Sequence, residues 1–109
     1  MIKLNSKEAV ERFIRENPMA IVYFTGSECG ACEVIKQKVE EIIKKFPELK
    51  GGEINGEEEI ELASSYGVFS LPTFFLYVEG KETLRYGRNI NLLELQGNIQ
   101  RYYEMLFQW

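Results

Sequence analysis

Apolar residues recur along the chain in two rhythms. Ala9, Val10, Phe13 and Ile14 return at helical spacing, which predicts a helix capped by Asn5 or Ser6, with Glu8 placed to reach back to Asn5. Asn17-Pro18 ends it, because the residue before a proline is driven out of the helical region. Met19 to Phe24 is instead a continuous apolar run, as in a central strand covered on both faces. After Thr25-Gly26-Ser27-Glu28 the helical rhythm returns with Cys32, Ile35, Val39, Ile42 and Phe46, as far as Pro47. Leu49 to Ile54 reads as a short strand broken by Gly51-Gly52, and Asn55 opens a helix from about Gly56 to Tyr66, with Glu58 as its capping-box partner.

Thr73 to Val78 and Glu82 to Tyr86 flank Glu79-Gly80-Lys81, which predicts a hairpin. A last helix, roughly Ile90 to Phe107, carries Leu92, Leu95, Ile99, Tyr102 and Leu106 as one stripe to lay on a sheet. A dimer seam would use the same spacing, but with fewer than three heptads core packing is the better reading, and a monomer is expected. A short strand at Ile2 to Leu4 can precede everything. Early alternation implies parallel pairing through crossover helices and the hairpin adds antiparallel strands, so the fold class is α/β, with a mixed sheet of four or five strands between helices.

At 109 residues one domain over residues 1–109 is expected, and 45% hydrophobic residues suffice for its core. The net charge of −4 opposes wrapping around a phosphate backbone, so no nucleic acid is expected. No apolar run reaches the roughly 18 residues of a membrane span or forms a signal peptide at the start, so a cytoplasmic protein without a membrane partner is the reading. All 17 acidic residues are Glu, and Asp and His are absent. That removes Ser-His-Asp and Cys-His relays and any His-ligated metal site. The run Glu57-Glu58-Glu59 reads as favourable charge in a first helical turn, in preference to a cation site.

The two cysteines, Cys29 and Cys32, sit where a strand should pass into a helix. Three uses fit such a pair. A shared metal would need two chains, since a structural zinc takes four ligands and this chain offers two. Plain packing as small hydrophobes is a second use. The third is a reversible disulfide: Cys29 at the helix cap, where free amides favour thiolate, attacks a substrate disulfide, and the more buried Cys32 resolves the mixed disulfide. The small Gly30 and Ala31 leave room for a partner chain, and no metal is expected in this use.

The segment Ile21 to Cys32, with Tyr66-Gly67-Val68-Phe69-Ser70-Leu71-Pro72-Thr73, Gly80 and Gly87 downstream, resembles the thioredoxin family over nearly the whole chain. The resemblance implies the thioredoxin fold, reduction of protein disulfides in client proteins, no bound cofactor, and electrons from a separate flavoprotein, a thioredoxin reductase. It implies a cis Pro72 lying against the cysteines, with the Leu71 backbone free to pair with an extended substrate and Thr73 and Gly87 beside it. Read without the resemblance, Pro72 is a strand-start proline and Gly87 the glycine that ends the hairpin.

This chain also departs from the family pattern. Glu28 stands where Trp is usual, and Ala31 where Pro is usual between the cysteines. The family's buried Asp aligns with Tyr23, expected in the core with its hydroxyl seeking one partner, and its Lys with Glu53. Glu53 is therefore a candidate proton acceptor for Cys32, against the plainer reading of an exposed strand-end Glu. The charges of Glu28 and Glu33 oppose the thiolate that the helix end promotes, and a less stabilised thiolate makes a reductant. A thioredoxin-fold adaptor with weak turnover and a glutathione-dependent glutaredoxin-like protein are the alternatives. Trp109 lies too far along the chain to stand in for the family's active-site Trp.

Overall fold

The computed structural model describes residues 1–107, so Trp109 lies outside the described residues. Its elements run β1 (Ile2–Lys3), α1 (Lys7–Glu16), β2 (Met19–Thr25), α2 (Gly30–Ile43), β3 (Leu49–Asn55), α3 (Ile60–Ser65), β4 (Thr73–Val78), β5 (Lys81–Tyr86) and α4 (Leu92–Phe107). They build a mixed sheet in the order β1-β3-β2-β4-β5. β1, β3 and β2 are parallel, and β4 pairs antiparallel with both β2 and β5.

The continuous apolar run of β2 is explained by its central place. Met19, Ile21 and Tyr23 face one core with Val39 and Ile42 of α2 and Leu95 and Ile99 of α4. Ala20, Val22 and Phe24 face the other, with Val10 and Phe13 of α1 and Ala63 of α3. Each crossover helix covers one face, so the loop at the C-terminal end of β2 turns the chain back over the face that α2 covers.

Ser6 is the cap of α1, its hydroxyl accepting from Ala9 N–H at 3.1 Å. Gly51-Gly52 do not break β3. A β-carbon on Gly51 would stand 2.7 Å from Ile43 Cδ1, and one on Gly52 2.5 Å from Leu4 Cδ1, so the glycines let helix and strand side chains close over an unbroken strand. The third helix is shorter than its pattern. Asn55 Oδ1 accepts from the amides of Glu57 and Glu58, which folds Gly56 to Glu58 into a turn, and helix begins only at Ile60. On α4 the buried stripe is Leu95, Ile99 and Tyr103, with Tyr102 and Leu106 at its margin. Tyr103 is drawn in because its hydroxyl accepts from Glu48 N–H at 3.1 Å while its ring lies 5.1 Å from that of Phe46.

Candidate active site

The chain leaves β2 at Thr25, turns through Gly26 to Glu28, and enters α2 with Cys29 as its cap. Cys29 Sγ accepts from Cys32 N–H at 3.2 Å, so the sulfur does the work of a capping oxygen. Cys29 and Cys32 are joined in a disulfide with Cα atoms 5.3 Å apart. Their surroundings differ: Cys29 is half-buried, whereas Cys32 is fully buried in the first turn of α2. Gly30 is exposed and Ala31 half-buried, and nothing stands within 4 Å of where a β-carbon on Gly30 would be.

The Leu71–Pro72 peptide bond is cis, Pro72 is buried, and Leu71 O lies 3.8 Å from Cys29 Sγ. Thr73 is buried, its hydroxyl donating to Ser70 O at 2.7 Å. Gly87 backs onto this segment, with Pro72 O 3.8 Å from where its β-carbon would stand. The Leu71 backbone is not wholly free, however. Its carbonyl accepts two hydrogen bonds from Arg88, Nε at 3.1 Å and Nη2 at 2.9 Å.

Tyr23 is fully buried and donates its hydroxyl to Cys32 O at 2.7 Å. Burial first, then the carboxylates of Glu33, Glu53 and Glu40, push its ionisation far above the ordinary tyrosine range, so it stays a neutral donor. Glu53 is directly opposite Tyr23 on β3. It is not an exposed strand-end residue: it lies inside the strand and its side chain is 12% exposed. Alternation after Gly52 aims it under α2, where Lys36 Nζ stands 3.1 Å from Glu53 Oε2 and 3.4 Å from Glu33 Oε2. Glu53 Oε2 is thus held by the Lys36 ammonium in a largely buried ion pair. Burial pulls the Lys36 ammonium down, but Glu53 and Glu33 outweigh it and hold the pKa above the ordinary lysine value.

Glu28 is exposed, and its amide donates to Glu57 Oε1 at 3.1 Å, while Asn55 Nδ2 donates to Ser27 Oγ at 2.9 Å. The loop before Cys29 is thus fastened to the turn after β3. Arg88 and Lys36 carry no signal in the sequence, Glu57 reads there only as first-turn charge, and the 84%-exposed Phe69, two residues before Leu71, only as part of the family motif. Each is an ordinary surface residue type whose partner, where it has one, comes from a distant element. Among the described residues no group of three or more His, Cys, Asp or Glu could hold a metal ion.

A mixed sheet between helices, with a CxxC disulfide heading the helix after the central strand, is the framework of a thiol–disulfide oxidoreductase. The family model for thioredoxin matches residues 1–101, and the chain belongs to the thioredoxin family. It is 28% identical to the thioredoxin-like protein YdfQ of Bacillus subtilis (strain 168), over 96% of this chain and 94% of that protein. It is 32% identical to the thioredoxin of Chlamydia pneumoniae, over 78% and 82% of the two chains. Among solved structures, Fasciola hepatica thioredoxin superposes with a TM-score of 0.81 at 30% identity, covering 94% of this chain and 99% of that one. A thioredoxin from Halobacterium salinarum NRC-1, at 22% identity, shares the fold with a TM-score of 0.85, over 94% and 90%.

Proposed function

We propose that this oxidoreductase works as a reductant of protein disulfides, as one domain and a monomer, in a reducing compartment such as the cytoplasm. The observation that carries the reading is the unequal burial of the two sulfurs beside the Leu71–Pro72 segment. In the dithiol form the Cys29 thiolate attacks one sulfur of a client disulfide. The client S–S bond breaks, its other sulfur leaves as a thiolate and takes a proton, and Cys29 is left in a mixed disulfide. Cys32 then gives up its proton and attacks Cys29 Sγ. The mixed disulfide breaks, the second client thiol is released, and the Cys29–Cys32 disulfide closes. A flavoprotein of the thioredoxin reductase kind returns the two electrons, so the chain itself needs no bound cofactor.

Gly30 and Ala31 keep the approach to Cys29 low. Leu71, Thr73, Gly87 and Glu28 border the client segment, with Phe69 as an apolar contact. Tyr23 is unsuited to take the proton of Cys32, because its hydroxyl is committed to the Cys32 carbonyl and resists ionisation. Glu53 is the group we assign to that task, a carboxylate directly opposite Tyr23 on β3 and largely buried under α2.

Insulin reduction tests the reading: Cys29→Ser abolishes turnover, and Cys32→Ser accumulates mixed disulfides on Cys29, found by mass spectrometry. Equal rates in wild type and Cys29→Ser would leave an adaptor instead. Glu53→Gln is expected to slow the resolving step by roughly 10²-fold, the low end of a general base's worth, with the first attack unchanged. A Glu53→Gln variant that resolves at the wild-type rate would remove Glu53 from the mechanism.

A further inference from the structure

A main-chain acceptor beside the attacking sulfur is already taken. Leu71 O lies 3.8 Å from Cys29 Sγ and holds the Nε and Nη2 donors of Arg88. The chain leaving β5 runs past Pro72 O at Gly87 and so delivers Arg88 to the preceding residue. An extended client that pairs its amide with Leu71 O must first displace that guanidinium. Once displaced, the planar fork needs a new acceptor, and a carboxylate accepts two parallel N–H bonds from it.

The balance of the other charges beside Cys29 is acidic: Glu28 precedes it, Glu57 holds the Glu28 amide, and Glu33 in the first turn of α2 is only partly offset by Lys36 at 3.4 Å. They repel an acidic client, so selection for one has to come from the Arg88 side. Arg88 is exposed, and its displacement therefore costs little that water does not return. We propose that Arg88 is a specificity-determining gate, closed on Leu71 O in the empty site and opened by clients that carry a carboxylate next to their cysteine. This rests on the reductase reading for its client, but not for its test.

The test is a single exchange step, separate from turnover. Cys32→Ser protein, prereduced, is mixed with a peptide whose one cysteine is a pyridyl disulfide, flanked on both sides by Glu or by Gln. The Cys29 thiolate attacks the peptide sulfur and a new S–S bond forms. The pyridinethiolate leaves with the electron pair, takes a proton, and is read by absorbance as thiopyridone. The Glu-to-Gln rate ratio is compared across proteins, because thiolate fraction and peptide reactivity cancel in that comparison. Adding Arg88→Gln is expected to lower the ratio by about three- to fivefold, the worth of one exposed ion pair. Arg88→Lys should fall between. Lys81→Gln, which removes one charge from the distant hairpin, should leave it unchanged. An unchanged ratio in Arg88→Gln, or an equal fall in Lys81→Gln, overturns the gate. Failure of the reductase reading shows separately, as absent insulin turnover with the peptide ratios still discriminating.

Discussion

The Tyr23 hydroxyl ties the first turn of α2 to the central strand through Cys32 O. Tyr23→Phe removes a buried hydrogen bond to a carbonyl that α2 also uses within its own ladder, which costs about 0.5–1.5 kcal/mol. Urea unfolding of the oxidised protein at neutral pH should show that loss as a lower midpoint with the denaturant slope unchanged; an unshifted midpoint would mean the bond contributes nothing. Glu28 is a different kind of residue, an exposed charge next to Cys29. Its charge disfavours the Cys29 thiolate, and so the dithiol form, relative to the disulfide. Glu28→Gln should raise the midpoint potential by roughly 10 mV, equivalent to about half a kcal/mol at a solvated site. Equilibration against a glutathione buffer measures it, and a fall in potential would contradict the assignment.

At the scale of elements, the β4–β5 turn carries a local conflict. Its central residues Glu79 and Gly80 have φ of 53° and 82°, the left-handed pair of a type I′ hairpin. Gly80 suits this, but Glu79 bears a β-carbon where Asn is the usual choice. Glu79→Asn should stabilise the protein by about 0.5–1 kcal/mol with activity unchanged, read as a higher thermal midpoint. The hairpin itself was legible, because two strand-like runs flank a glycine at the right separation. So were β2, α2 and the cysteine cap, where periodicity and local chemistry agree. What periodicity could not give were features made by tertiary contact. Gly51-Gly52 look like strand breakers until Ile43 and Leu4 close over them. Asn55 signals a helix start but spends its side chain on a turn first. Glu53 looked like a strand-end surface residue because Lys36, seventeen residues earlier, gives no sign in sequence of reaching under α2 to it. Arg88 was equally silent, since an exposed arginine in a loop is unremarkable until the carbonyl it grips is known.

Across the whole molecule, burial of phenols on both faces of the sheet sets the response to alkali. Tyr23 lies in the core under α2 and α4, while Tyr66 and Tyr77 border the core under α1 and α3. Burial is the leading cause of a raised pKa at each of the three. Tyr77 is pushed up to about 12 by burial, then by Tyr66 and Glu82, against a smaller opposing pull from Arg85. In the unfolded chain these phenols ionise near 10, so above that pH the unfolded state has released protons that the folded state still holds. The folded state then binds more protons, and its stability falls as pH rises. Each such group contributes a slope of about 1.4 kcal/mol per pH unit, beginning at the unfolded pKa and ending at the folded one. For Tyr77 the window runs from pH 10 to about 12. Tyr77→Phe isolates it, because among the described residues its hydroxyl makes no hydrogen bond and its loss should change stability at pH 7 by less than about 0.5 kcal/mol. Between pH 10 and 12 the variant should lose stability less steeply than wild type by about 1.4 kcal/mol per unit, measured by urea midpoints on the oxidised protein. Parallel curves through that window would mean that Tyr77 ionises as freely in the fold as in water, and that the groove beside it, formed with Tyr66 and Arg15 where α1 meets the hairpin, is wetter than its packing implies.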